Sequence, residues 1–267
     1  MISFPNAKIN IGLQVLGKRP DGYHNIQSVF YPIPFCDALE IVESKEFNFQ
    51  SSGLKIPGGL DSNLCIKAYK LLQSAFGIGS VNMHLHKVIP MGAGLGGGSS
   101  DGAFTLKMLN ELFKLDLTDD QLHELAAEIG SDCPFFIRNQ PVLATGTGTD
   151  FTSLNVNLKG KYIALSNPEI HIGTAEAYKG VDFSEKIDLK NLIESEPIEG
   201  WDRFAINDFE HHLFRLHPEI KTIKKQMYSD GALFASMTGS GSTVYGVFDE
   251  KPDYPIAYQL EDYQNQH

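Results

Sequence analysis

Cysteine is scarce in this chain, and its few copies show no pairing pattern. Of 267 residues only Cys36, Cys65 and Cys133 are cysteines, widely separated and without a C-x-x-C spacing. That excludes a disulfide framework and gives no support to a zinc site; reduced, mostly buried thiols are expected. Long apolar runs are also lacking. Nowhere do about 18 apolar residues stand together, so no membrane-spanning helix is expected. Met1–Asn6 lacks the basic region and following apolar stretch of a secretory leader, and a cytoplasmic location is the expectation. Positive charge is in deficit: 22 Lys and Arg stand against 33 Asp and Glu, a formal net charge of −11. A surface of that sign argues against nucleic-acid and membrane partners. It does not exclude an anionic small molecule, whose site is set by local lysines and dipoles. The Walker A ending and the H-R-D and D-F-G signatures are absent as well. What remains is an ordinary globular composition, 42% hydrophobic and 21% charged, with material for one large domain or two lobes.

Glycine, by contrast, is concentrated. The run Pro90-Met91-Gly92-Ala93-Gly94-Leu95-Gly96-Gly97-Gly98-Ser99-Ser100-Asp101 places five glycines in seven residues. Such a backbone has few side chains to hold a ligand away, and its N–H groups can converge on one anion. A helix starting near Ser99 would add unpaired N–H groups and its positive dipole end, the makings of a phosphate site. Ser99, Ser100 and Asp101 also read as N-cap residues, and a capping serine can touch phosphate too. Gly92-x-Gly94-x-x-Gly97 fits the dinucleotide fingerprint, but the next segment is another helix, so the βαβ unit is missing. Gly98-x-Ser100-x-Gly102 fits a hydrolase nucleophile elbow, which needs a strand ending at the serine. A serine hydrolase using Ser100 and a non-catalytic nucleotide-binding protein are the alternatives from other classes.

Alternation over residues 8–16 predicts a half-buried strand, with Ile9, Ile11, Leu13 and Val15 inward and Lys8, Asn10 and Gln14 on the polar face. Residues 26–35 read as a second strand after the turn at residues 17–22. Asp61 or Ser62 is a candidate cap for a helix with Leu64, Ala68, Leu71, Leu72 and Ala75 buried. Residues 81–89 read as the strand feeding the glycine loop. Thr118 and Gln121 predict a capping box, and Gly130 the end of that helix. Beyond residue 150, residues 162–166 read as a strand, 182–200 as an acidic surface segment and 217–229 as a helix begun by Pro218. Two strands, 232–236 and 243–248, would flank Met237-Thr238-Gly239-Ser240-Gly241-Ser242.

That last segment, the glycine run and Pro5-Asn6-Ala7-Lys8-Ile9-Asn10 together resemble the three motifs of the galactokinase, homoserine kinase, mevalonate kinase and phosphomevalonate kinase (GHMP) superfamily. Pro20-Asp21-Gly22-Tyr23-His24 and Gly130-Ser131-Asp132-Cys133-Pro134-Phe135-Phe136 narrow the resemblance to the branch that phosphorylates 4-diphosphocytidyl-2-C-methyl-D-erythritol. The match covers residues 5 to about 248. It departs at Gly102, usually alanine, and Thr238, usually serine; both residues stay small. The resemblance implies an α+β, two-lobed GHMP-kinase fold. Residues 1–150 would form an N-terminal α/β lobe of ribosomal-protein-S5-like type that binds ATP, and residues 151–267 a ferredoxin-like α+β lobe. It implies transfer of the ATP γ-phosphoryl group to the 2-hydroxyl of the methylerythritol moiety, in the non-mevalonate route to isopentenyl diphosphate. Another GHMP kinase, for mevalonate or homoserine, is the nearest rival.

On the same grounds Asp132 would be the catalytic base and Lys8 its electrostatic partner, although position alone also fits a turn aspartate and a solvated lysine. Lys87, Pro90, Met91, Gly92, Ala93, Gly94, Leu95, Gly96, Gly97, Gly98, Ser99 and Ser100 would hold ATP. Mg²⁺ would accompany it, since the β- and γ-oxygens need neutralising, and no protein metal ligand is named. Asn10 and Thr174 would face the substrate. Tyr23 and Tyr178 would sandwich its cytosine, and His24 would hydrogen-bond it; both tyrosines otherwise read as packing residues. The partners expected are the cytidyl diphosphate substrate and ATP, bound by a monomer or weak homodimer.

Overall fold

The computed structural model describes residues 1–261. They form two compact units, and neither is a continuous run of chain: one holds residues 1–7, 35–91 and 96–139, the other residues 8–34, 92–95 and the chain from 140 onward. The units are therefore cut differently from a single division at residue 150. The physical reason lies in β2 (Asn6–Lys18) and β3 (His24–Cys36), which pack with the C-terminal half instead of with the helices that follow them.

In the first unit a four-stranded sheet runs in the order β1 (Ile2–Ser3), β4 (Ala38–Glu43), β6 (Val81–Lys87) and β5 (Asn48–Gly53). β6 pairs antiparallel with β4 and parallel with β5. Its alternation is strict: Val81, Met83, Leu85 and Lys87 are buried, and the residues between them are exposed. The inward set therefore ends on a lysine. Helices α1 (Leu64–Phe76), α2 (Gly97–Leu112), α3 (Asp119–Ile129) and α4 (Cys133–Arg138) complete this unit. The capping box of α3 forms as predicted, with Thr118 and Gln121 satisfying each other's backbone N–H groups. The cap of α1 is Asn63, not Asp61 or Ser62; its Oδ1 accepts from Cys65 N–H at 2.9 Å. The buried stripe is Cys65, Ile66, Ala68, Tyr69 and Leu72, with Leu64 and Leu71 half-buried and Ala75 exposed. Each such large apolar side chain contributes about 1.5–3 kcal/mol when fully buried. β6 ends at Lys87, two residues short of the strand expected.

The second unit carries two sheets. One has the order β2, β3, β7 (Val142–Gly146), β8 (Asp150–Ser153); the other runs β10 (Phe234–Met237), β11 (Val244–Phe248), β9 (Tyr162–Ser166), β12 (Ile256–Gln259) and is antiparallel throughout. With them pack α5 (Thr174–Lys179), α6 (Leu189–Ser195), α7 (Phe209–Leu216) and α8 (Pro218–Ser229), the last opened by its proline as predicted. The segment 182–200 is only partly surface: Leu189 and Ile193 of α6 are buried. β2 departs most from expectation. Ile9, Ile11, Leu13 and Val15 are buried, but so are Lys8, Asn10 and Gln14 on the opposite face. A strand covered on both sides has no solvated face, so its polar side chains must find partners within the fold.

Candidate active site

Three segments distant in sequence meet at Gly94, all within the second unit. The Lys8 backbone N–H donates to the Leu95 carbonyl at 2.9 Å. The Lys8 ammonium donates to Asn10 Oδ1 at 2.5 Å and to the Gly94 carbonyl at 3.2 Å, and lies over the Phe30 ring. The Thr238 hydroxyl donates to the same Gly94 carbonyl at 3.0 Å, and its oxygen accepts the Asn10 N–H at 3.0 Å. Gly94 has φ +78°, and a Cβ there would stand 1.9 Å from the Thr238 carbonyl oxygen, so no other residue fits. Asn207 holds the turn after β10 by donating to the Met237 and Gly239 carbonyls at 2.7 and 2.9 Å. Lys8 is therefore not a solvated strand lysine; it is 3% exposed. Asn10, 2% exposed, presents no open substrate face: Oδ1 accepts from Lys8, and Nδ2 donates to Ser28 Oγ at 2.8 Å. It orients the lysine.

In the first unit the rest of the glycine loop becomes α2. The helix starts at Gly97 with Gly96 as its N-cap, so Ser99, Ser100 and Asp101 lie inside the first turns and are not caps. By helix geometry the Gly97, Gly98 and Ser99 N–H groups have no intrahelical acceptor. A Cβ on Gly97 would meet Ile89 at 2.7 Å, so the loop is packed as close as its backbone allows. Ser100 Oγ is buried without a hydrogen-bond partner among the described residues. A Cβ on Gly130 would meet Cys133 Sγ at 3.0 Å and Ser99 Oγ at 4.0 Å, so the first turn of α2 lies beside the start of α4. Asp132, half-buried, stands at the N-cap of α4 yet makes no capping hydrogen bond there.

Lys87 requires a correction. It faces inward from β6, is 1% exposed, and its ammonium is held by Asp37 and by Asp101 Oδ2, the latter at 2.6 Å. A lysine so paired and covered cannot also reach a nucleotide. The sequence reading missed Asp37, Asn207 and Phe183, and took Asp101 for an N-cap residue. For Lys87 a signal existed, since the V-N-M-H-L-H-K alternation puts it on the core face.

The aromatic cluster also differs from the sandwich expected. His24 stacks on Tyr178, ring centroids 4.4 Å apart and planes 15° apart, with Phe183 tilted beside it at 6.1 Å. Tyr178 in turn meets Phe209 edge-on at 4.9 Å. Tyr23 is 68% exposed, and Thr174 lies exposed at the first position of α5. The structure thus gathers His24, Tyr178 and Phe183, and leaves Tyr23 at the surface.

Comparisons with known proteins give the chain its family. Residues 63–140 match the GHMP kinases N terminal domain, and residues 185–265 the GHMP kinases C terminal model. The chain is 53% identical over 256 residues to the 4-diphosphocytidyl-2-C-methyl-D-erythritol kinase of Cytophaga hutchinsonii, covering 95% of this chain and 94% of that protein. It is 49% identical over 255 residues to the enzyme of that name from Parabacteroides distasonis, with 95% and 93% covered. The chain belongs to the 4-diphosphocytidyl-2-C-methyl-D-erythritol kinase family of GHMP kinases. A crystal structure of a 4-(cytidine 5'-diphospho)-2C-methyl-D-erythritol kinase superposes with a TM-score of 0.79 at 31% identity, covering 92% of this chain and 90% of that one. A homoserine kinase from Cytophaga hutchinsonii, 17% identical with a TM-score of 0.67, shares the fold, with 92% and 86% covered. As a kinase of this family the chain has the α+β GHMP fold, and among its described residues no helix is long and apolar enough to cross a membrane. No group of three or more His, Cys, Asp or Glu able to hold a metal occurs among them either. A metal ion here would be carried chiefly by the phosphates it accompanies. The open N-terminus of α2 and the unpartnered Ser100 hydroxyl fit such a charge pair.

Proposed function

We propose that this kinase transfers the γ-phosphoryl group of ATP to the 2-hydroxyl of 4-diphosphocytidyl-2-C-methyl-D-erythritol, a step of the non-mevalonate route to isopentenyl diphosphate in the cytoplasm. The observation that carries the reading is the meeting of Lys8, Gly94 and Thr238, one from each of three motifs. It is supported by relatives of that name at 47–53% identity.

Phosphoryl transfer is mainly positioning and charge stabilisation. The loop from Pro90 to Ser100 wraps the phosphates, with the α2 N-terminus directed at them. Mg²⁺ neutralises the β- and γ-oxygens when it is bound with ATP. Asp132 takes the proton of the attacking hydroxyl, and the Lys8 ammonium, oriented by Asn10, offsets developing negative charge. His24 and Tyr178 hold the cytosine, with Tyr23 closing from the surface; Thr174 meets the substrate at the start of α5. By sequence, residues 1–150 supply ATP binding and the base, and residues 151–267 supply Thr238 and Tyr178; the chain acts as a monomer or weak homodimer.

A coupled ADP-release assay with Mg·ATP tests the reading, with the cytidyl substrate, mevalonate and homoserine run side by side. Turnover of the cytidyl alcohol alone is expected. Turnover of another alcohol, with none of the cytidyl one, would overturn the substrate and leave the kinase fold standing.

A further inference from the structure

The Asp37–Lys87–Asp101 cluster lies wholly within the first unit, and its hydrogen bonds reach both ends of the glycine loop. On the entry side, Asp37 Oδ1 accepts the Val88 and Ile89 N–H groups at 2.6 and 2.8 Å, the two residues before Pro90. Asp37 is itself placed by its own N–H, which donates to the Pro5 carbonyl at 2.9 Å. On the exit side, Asp101 sits in the first turns of α2, the helix into which the loop runs. Lys87 joins the two, since its ammonium donates to Asp37 and to Asp101 Oδ2. Its main chain is pinned as well: the Lys87 carbonyl accepts the Leu54 N–H at 2.8 Å. A Cβ on Gly97 would stand 3.0 Å from the Lys87 ammonium, so glycine there lets the lysine pass beneath the helix start.

Burying two carboxylates and an ammonium costs several kcal/mol per ion before pairing, and apolar side chains of similar volume often serve stability as well. Stability alone is thus a poor account of the cluster. What ions add is direction, because three charged groups with fixed partners allow one arrangement of the segments that carry them. Loop ends fixed in this way hold the glycine backbone in the shape that receives phosphates, without any of the three side chains touching the nucleotide.

We propose that Asp37, Lys87 and Asp101 are positioning residues for the nucleotide, a buried ionic clamp that closes the base of the glycine loop. The proposal rests on the kinase reading above, and its test separates the two. Equilibrium binding of the fluorescent nucleotide mant-ATP is measured for the intact chain and for Asp101→Ala and Asp101→Asn, alongside KM and kcat at a temperature where each is folded. The asparagine keeps an acceptor for Lys87; the alanine does not. Misplacement of a positioning group can cost about 100-fold, and we expect Asp101→Ala to weaken mant-ATP and raise KM for ATP by roughly tenfold or more. The KM for the cytidyl substrate should stay within about twofold, and Asp101→Asn should recover most of the loss. Where Asp101→Ala does not fold, Asp37→Ala set against Asp37→Asn carries the same comparison. A folded Asp101→Ala with a lowered Tm and unchanged nucleotide affinity would overturn the clamp. A wild-type chain that binds mant-ATP but turns over no cytidyl substrate would overturn the functional reading and leave the clamp to stand or fall on the affinities.

Discussion

A carboxylate that acts as base and one that acts as tether should respond to substitution differently. Asp132→Asn keeps the size of the side chain and removes its basicity; kcat should fall on the order of 10²–10⁴-fold with mant-ATP affinity unchanged. An undiminished kcat would take Asp132 out of the base role. Asp101 reports through stability instead. Burial, aided by the neighbouring Asp37 carboxylate, pushes it up from the ordinary 3.8 to about 7 against the pull of Lys87. A group raised on folding holds its proton more tightly in the native chain, so its contribution is fully present below its unfolded value and lost as pH rises through the folded one. The Tm of the wild type relative to Asp101→Asn should therefore decline as pH rises from about 4 to about 7. A difference independent of pH would show that Asp101 titrates as an ordinary surface carboxylate. Tyr178→Ala should remove stacking of about 1–3 kcal/mol and raise KM for the cytidyl substrate while sparing KM for ATP; a pure kcat defect would place the ring elsewhere.

At the scale of elements, the glycine run stands out in sequence as a candidate phosphate site, but the reason for each glycine is not legible there. Gly94 faces Thr238, about 140 residues away in the chain, and nothing local announces that contact. Gly94→Ala would add left-handed strain of roughly 1–2 kcal/mol to a collision at 1.9 Å with backbone. We expect a marked drop in Tm together with loss of mant-ATP binding, whereas Gly160→Ala, with open space around it, should bind as the wild type does. Equal behaviour of the two variants would contradict the close packing of loop and turn. The ends of helices followed a similar rule. The α3 capping box is local chemistry within four residues and formed where predicted, whereas the α1 cap moved to Asn63 because several polar residues compete there.

Across the whole molecule the three thiols serve as reporters. Burial pushes Cys36 up to about 11 and Cys133 up to about 12, and Cys65 higher still. Only thiolate reacts, so at neutral pH native protein should react sluggishly with a disulfide reagent such as DTNB and release all three equivalents only on unfolding. Rapid labelling of the native chain would contradict that burial. Sequence by itself determined the fold class, through motifs that resemble the GHMP kinases, and marked the glycine run, Lys8 and Asp132 as candidates for the chemistry. These are carried by contiguous motifs and by composition, where neighbours in the chain supply the physics. Tertiary structure alone decided that both faces of β2 are covered, that Lys87 is enclosed by two aspartates, and that His24 lies on Tyr178. Each of those depends on partners brought in from far along the chain, where a period of two or of 3.6 names a face but not what will cover it.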